Sequence, residues 1–178
     1  RTCLHRTGRA AVGAGLPGCS HLGSKAHSTA NGAGTASAIL PVQLDRTEDP
    51  LCARIFMIMQ DRIQQRCATH VVKSDQNAKI ILHIDTQLPI EAFRIDDQGN
   101  AVRISGGSAR GVMYGVGKFL RTSTYDGAFV PSAWRGVSAP NGTLRGIYFA
   151  SHFHNWYHQA SEPELSRYME DLALWGVN

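Results

Sequence analysis

Leu144-Arg145-Gly146-Ile147-Tyr148-Phe149-Ala150-Ser151-His152-Phe153-His154-Asn155 is the stretch on which the reading of this chain turns. Ile147 to Phe149 is a compact apolar and aromatic run, of the kind that forms a strand buried on both faces of a parallel sheet. A loop dense in His, Asn, Trp and Tyr follows it. Ser161 then stands three residues before Glu164, with Pro163 between them. That pattern starts helices, because the hydroxyl and the carboxylate each accept from an N–H that the first turn leaves free. Leu165, Tyr168, Met169, Leu172 and Trp175 recur at three- and four-residue steps and predict one apolar helical face. Gly176 can end the helix in the left-handed conformation, and Val177-Asn178 reads as the first step of another strand. The unit is strand, polar loop, helix, strand start. In repeated βα units, ligand-bearing residues collect at the carboxyl end of the strand and in the loop after it, here residues 150–160.

Composition sets the outer limits. The chain has 178 residues, 43% of them apolar, which fits one or two small globular domains. No run approaches the ~20 apolar residues that span a bilayer. The formal net charge of +4 comes from one end. Residues 1–44 hold Arg1, Arg6, Arg9 and Lys25 and no acid, while the remainder balances fourteen basic against fourteen acidic residues. The folded part therefore has no charge excess to favour nucleic acid. Cys3 and Cys19 lie in the basic end. Cys52 and Cys67 fall in one expected helix, about 22 Å apart at 1.5 Å per residue, too far to bridge while it is straight.

Outward from the deciding stretch, residues 1–38 are rich in Gly, Ala, Ser, Thr and His without apolar periodicity and read as a disordered leader. Ile39 to Leu44 predicts a strand, with Pro41 pointing to an edge position. Asp49-Pro50 opens a helix as N-cap and first residue. Leu51, Ile55, Phe56, Ile58, Met59 and Ile63 give it an apolar face, and Arg62, Gln64, Gln65 and Arg66 are expected to face water. His70-Val71-Val72 and Lys79 to Asp85 predict two further strands. Glu91–Asp96 and Ala101–Ser105 form a hairpin around Gln98-Gly99-Asn100. A helix runs from about Ala109 to Arg121. In it, Gly111 and Gly115 sit four apart on one face, which calls for close packing against a sheet. The Gly spacing there is not that of a phosphate loop: five residues separate Gly111 from Gly117, and Phe119 stands where a Ser or Thr is needed. Residues 123–143 are loop-rich and read as a linker.

Five residues carry candidate binding chemistry. His152 and His154 are two apart, so on an extended backbone both imidazoles face one way, towards a ligand or a metal. Arg145 can present a planar fork to sugar hydroxyls or a carboxylate. Trp156 and Tyr157 offer flat faces of the kind sugars stack on. Catalytic carboxylates are another matter. The only acids after Ala150 are Glu162, Glu164, Glu170 and Asp171, all in the expected helix or its cap, and no acid/base pair can be named among them.

The run Phe93-Arg94-Ile95, Gly99 to Gly106, Arg110 to Gly115 and Phe119-Leu120 resembles the N-terminal accessory domain of β-N-acetylhexosaminidases. A related domain precedes the barrel of α-glucuronidases. The resemblance implies an α/β accessory domain over 39–122, with a mostly antiparallel sheet and two helices on one face. A linker over 123–143 and the first βα unit of a truncated (β/α)₈ barrel over 144–178 would follow. It also implies that Arg145-Gly146 opens the first barrel strand and that Arg145 contacts sugar hydroxyls. This chain departs from the family pattern at Ala150, where those enzymes carry Asp, and at Phe153-His154, where they carry Arg-His. The implied function is that of the N-terminal portion of a glycoside hydrolase acting on an amino sugar or uronic acid. The implied partner is a carbohydrate, with no cofactor, and an extracellular or periplasmic setting is favoured. The residues also admit a metal-dependent hydrolase built on His152 and His154, or a non-catalytic carbohydrate-binding module.

Overall fold

A computed structural model describes residues 38–44, 49–150, 152 and 154–178. The expected leader, residues 1–38, lies outside them except for Ala38, which opens β1. The elements are β1 (Ala38–Leu44), α1 (Pro50–Gln64), β2 (Thr69–Lys73), β3 (Ile80–Ile84), β4 (Phe93–Gln98), β5 (Ala101–Gly106), α2 (Ala109–Thr122), β6 (Gly136–Ser138), a 3₁₀ turn (Trp156–His158) and α3 (Glu162–Leu174).

Six strands form one sheet in the order β2-β1-β3-β5-β4-β6. The expectation of a mostly antiparallel sheet is corrected here. β1 pairs in parallel with β2 and with β3, and β3 with β5, while only β4 runs antiparallel, to β5 and β6. Helix α1 returns the chain to the same end of the sheet, which makes β1-α1-β2 a parallel unit. The step from β2 to β3 would ordinarily need a crossover of a dozen or more residues. Here six suffice because the strands are staggered. β2 ends beside Val42 on one side of β1, and β3 begins beside Val42 on the other.

The same stagger corrects the edge position expected from Pro41. β1 is an interior strand. The Pro41 carbonyl faces the β3 side, where it accepts from the Lys79 N–H at 2.8 Å. The proline nitrogen faces that side too, at a level where β3 has not yet started, so no ladder bond is lost.

Alternate residues of the strands point to one face. Leu40, Val42, Leu44, Ile80, Leu82, Phe93, Ile95, Val102 and Ile104 are buried there against Ile55, Ile58, Met59 and Ile63 of α1 and Val112, Val116, Phe119 and Leu120 of α2. Both helices are capped as their sequences require. Asp49 accepts from the Leu51 N–H at 2.8 Å, and Ser108 accepts from the Gly111 N–H. The glycines of α2 let the helix lie on the sheet. A Cβ on Gly111 would fall 2.4 Å from the Ala92 carbonyl oxygen, and one on Gly115 2.7 Å from Ile104 Cγ2. Gly99, at φ 59°, turns the β4–β5 hairpin.

Arg62 does not face water, as its sequence position suggested. Its side chain is 2% exposed and donates to Glu170 Oε2 at 3.1 Å and to Asp171 Oδ1 at 3.1 Å, both on α3. The α3 backbone comes closest at Gly117, where a Cβ would fall 1.8 Å from the Leu174 carbonyl oxygen.

Two expectations about the deciding stretch are also corrected. Residues 144–150 carry no strand, and Leu144 and Tyr148 are 87% and 81% exposed. A strand buried on both faces needs neighbours on both sides, and among the described residues none runs beside 146–150. The one backbone contact of this kind is the Asn178 N–H to the Arg145 carbonyl, 3.0 Å. Helix α3 forms where expected, and the Glu164 carboxylate accepts from both the N–H and the hydroxyl of Ser161. Yet of its residues only Leu174 is buried, and the apolar face of Leu165, Tyr168, Met169, Leu172 and Trp175 stays partly or largely open. The helix docks through Leu174 and Ala173, which meet the core, and through the ion pairs of Glu170 and Asp171.

Candidate functional site

Of the five candidate residues, Arg145 is the most firmly held. Its Nη2 donates to Glu91 Oε2 at 2.9 Å and to the Tyr114 hydroxyl at 3.1 Å, its Nε to the Gly176 carbonyl, and its Nη1 to the Gly142 carbonyl. The guanidinium also lies 5.5 Å from the centre of the Tyr114 ring. Asn178 completes the cluster by accepting from the Arg145 N–H at 3.0 Å and donating to the Thr143 carbonyl at 2.9 Å. Desolvation by itself would raise the Glu91 carboxyl. Hydrogen bonds from Arg110, Arg145 and Asn178, with the Arg145 charge, outweigh it and hold the group below the ordinary glutamate range. Burial pushes the Tyr114 hydroxyl up, keeping it a neutral donor and acceptor.

The aromatic loop is organised by α3. Tyr168 meets Phe149 edge-on at 6.1 Å and Trp156 at 5.5 Å, and Phe149 meets Tyr157 at 5.2 Å. The Tyr157 hydroxyl accepts from Asn155 Nδ2 at 2.9 Å. His154 lies flat against His158, rings 5.8 Å apart and 5° from parallel, and His158 Nδ1 accepts from the Asn155 N–H. Trp156 is half exposed and His152 is exposed. The structure thus gathers Trp156 and Tyr157 around one aromatic cluster and sets His154 beside His158. Among the described residues, no three His, Cys, Asp or Glu side chains converge in a group that could hold a metal.

Three of the four acids of this segment are engaged in structure. Glu164 caps α3, Glu170 pairs with Arg62 and Arg54, and Asp171 pairs with Arg62. Glu91 and Tyr114, which anchor Arg145, were not singled out by the sequence. No local pattern marks them, since they meet Arg145 54 and 31 residues away along the chain.

No family model matches the chain, and no curated relative does. Solved structures do. An inactive mutant of the GH20 exo-β-N-acetylglucosaminidase from Vibrio harveyi superposes with a TM-score of 0.60 at 19% identity, over 80% of this chain and 21% of that one. The same enzyme in complex with N-acetylglucosamine gives 0.56 over the same shares. The GH20 β-N-acetylhexosaminidase from Streptomyces coelicolor A3(2) gives 0.57 at 20% identity, over 78% of this chain and 29% of that one. The chain shares a fold with part of these enzymes. It resembles a fragment of a β-N-acetylhexosaminidase, spanning roughly a fifth to a third of their length. The chain is a mixed α/β fold, a six-stranded sheet with three helices, and no helix among its described residues is long and apolar enough to cross a membrane.

Proposed function

We propose that this chain is the N-terminal portion of a glycoside hydrolase of the β-N-acetylhexosaminidase type. In this reading residues 39–122 are its accessory domain, 123–143 a linker, and 144–178 the start of its catalytic barrel. The observation that carries the reading is the shared fold, which runs over four-fifths of the chain at TM-scores of 0.56 to 0.60. Two features support a barrel start in 144–178. The backbone bond between Arg145 and Asn178 is what two adjacent parallel strands would make at their first residues. The aromatic loop lies between them, at the position where barrels place substrate contacts.

The proposed substrate is a glycoside of an amino sugar or uronic acid, and the proposed contacts are Arg145, His152, His154, Trp156 and Tyr157. The catalytic carboxylates lie outside these residues, because three of the four acids after Ala150 are engaged in capping and ion pairs and the fourth, Glu162, stands in the first turn of α3. Arg145 has a structural rival role, favoured by its four hydrogen bonds to Glu91, Tyr114, Gly142 and Gly176. In the complete protein, Arg145→Lys separates the two. A substrate contact predicts a fall in kcat/KM with little change in Tm, and a structural tie predicts a lower Tm with kcat/KM retained.

The test of the function uses two proteins, this chain and the longest product of the same gene. Each is assayed with aryl N-acetyl-β-glucosaminide and aryl β-glucuronide. The longer product is expected to turn over one of them and the 178-residue chain neither. Turnover by the purified chain alone, or none by the longer product on any aryl glycoside, overturns the reading.

A further inference from the structure

A cleft of about 240 Å³ lies where α2, the segment before Arg145 and the end of α3 meet. Its walls carry three cations, Lys118, Arg121 and Arg145, and no carboxylate. Arg145 is paired from behind with Glu91, which it shares with Arg110. Lys118 and Arg121 are not: among the described residues no acid pairs with either. Each lies instead against an indole. Lys118 Nζ is 5.1 Å from the centre of the Trp134 ring, and the Arg121 guanidinium is 4.1 Å from that of Trp175. A ring quadrupole stabilises a cation but leaves its formal charge in place. Of the Arg121 donors, Nη1 is taken by the Leu174 carbonyl at 2.7 Å, which leaves Nε and Nη2.

We propose that this cleft binds an acidic sugar, a pyranose ring carrying a carboxylate, with Lys118 and Arg121 on the carboxylate and Trp175 against the ring. The sugar part rests on the glycosidase reading, and the anion part rests on the cleft alone. Two uncompensated cations select for negative charge. Trp175, 70% exposed, has one ring face against the Arg121 guanidinium and the rest of its flat apolar surface open at the mouth. The volume is small for a ligand pocket and suits one ring rather than a chain of them. The lining of this cleft shares Arg145 with the proposed substrate contacts but includes neither Trp156 nor Tyr157.

The test is titration of the 178-residue chain with glucuronate, glucose and benzoate, followed by tryptophan fluorescence and calorimetry. Glucuronate is expected to bind at least ~10-fold more tightly than glucose, because two charged hydrogen bonds are absent from the neutral sugar. Lys118→Gln and Trp175→Ala should each weaken glucuronate by a similar factor, while far-ultraviolet circular dichroism and Tm stay near wild type. Affinity should also fall as salt rises. Equal binding of glucose, no glucuronate binding, or binding unchanged in both variants overturns the proposal. Benzoate binding as tightly as glucuronate overturns the sugar assignment alone. All of these are read without turnover, so they leave the glycosidase reading to its own assay.

Discussion

The sheet with α1 and α2, and the segment from 144 to 178, use apolar residues in opposite ways. In the first, periodicity and burial coincide. The residues that alternate along β3 and β5, or recur every three to four along α1 and α2, are those that close the core. In the second they part company. The apolar stripe on α3 is left largely open, and the helix attaches through Leu174 and through Glu170 and Asp171, which meet the buried guanidinium of Arg62. A pattern in sequence says that a face is built to be covered. It does not say that the nearest available surface is what covers it.

Five measurements break or sharpen that contrast. The largest effect belongs to the core. Phe119→Ala removes a fully buried ring and should lower unfolding free energy by about 3–5 kcal/mol in urea denaturation. Arg62→Ala comes next, at about 3 kcal/mol, the low end for a buried ion pair losing one partner, since Arg54 still reaches Glu170. Hydrogen exchange should then quicken in α3 while β3 and β5 stay protected. If protection falls equally in both, the segment and the sheet form one cooperative unit and the contrast fails. Gly117→Ala should cost about 1–3 kcal/mol, because its Cβ must displace the Leu174 carbonyl.

The fourth measurement is a pH series on Glu91→Gln. The wild-type carboxyl is held below its ordinary value of about 4.5, so its contribution is complete above that pH and is lost as pH falls through the depressed value. The Tm advantage of wild type over Glu91→Gln should be constant from pH 7 to 5 and shrink below about 4.5. An advantage of the same size at every acidic pH would show that it does not come from the Glu91 charge. The smallest effect is Met169→Ala on the open stripe, expected within about 0.5 kcal/mol. A larger loss would mean that the stripe is covered in solution.

What could be read in the sequence was local. Asp49-Pro50, Ser108 and Ser161 with Glu164 announce helix starts because the capping partners lie within three residues of each other. Gly99 announces its turn, and Gly111 and Gly115 announce close packing on a sheet. The errors all concern partners far away in the chain. Arg62 looked solvated because the acids that bury it arrive 108 and 109 residues later. Strand direction was misjudged because a six-residue step between parallel strands is possible only with a stagger that no residue type encodes. Ile147 to Phe149 has the composition of a buried strand without, in these residues, the neighbours that would make it one. For the candidate site, the flat aromatic faces were legible as residue types. The anchoring of Arg145 by Glu91 and Tyr114 was not, since it depends on how two distant segments meet.

The stagger of β2 and β3 about β1 also bears on solubility. A sheet that ends in one long straight strand offers a continuous row of free N–H and C=O groups to any passing chain. This sheet offers a step instead. An incoming strand would meet five residues of β2, closing on Lys73, and then a drop of one strand width to Gln43 and Leu44 of β1. To bond along both it would have to bend at a charged corner. The parallel side of this mixed sheet is thereby given an outer border of only five residues before the step.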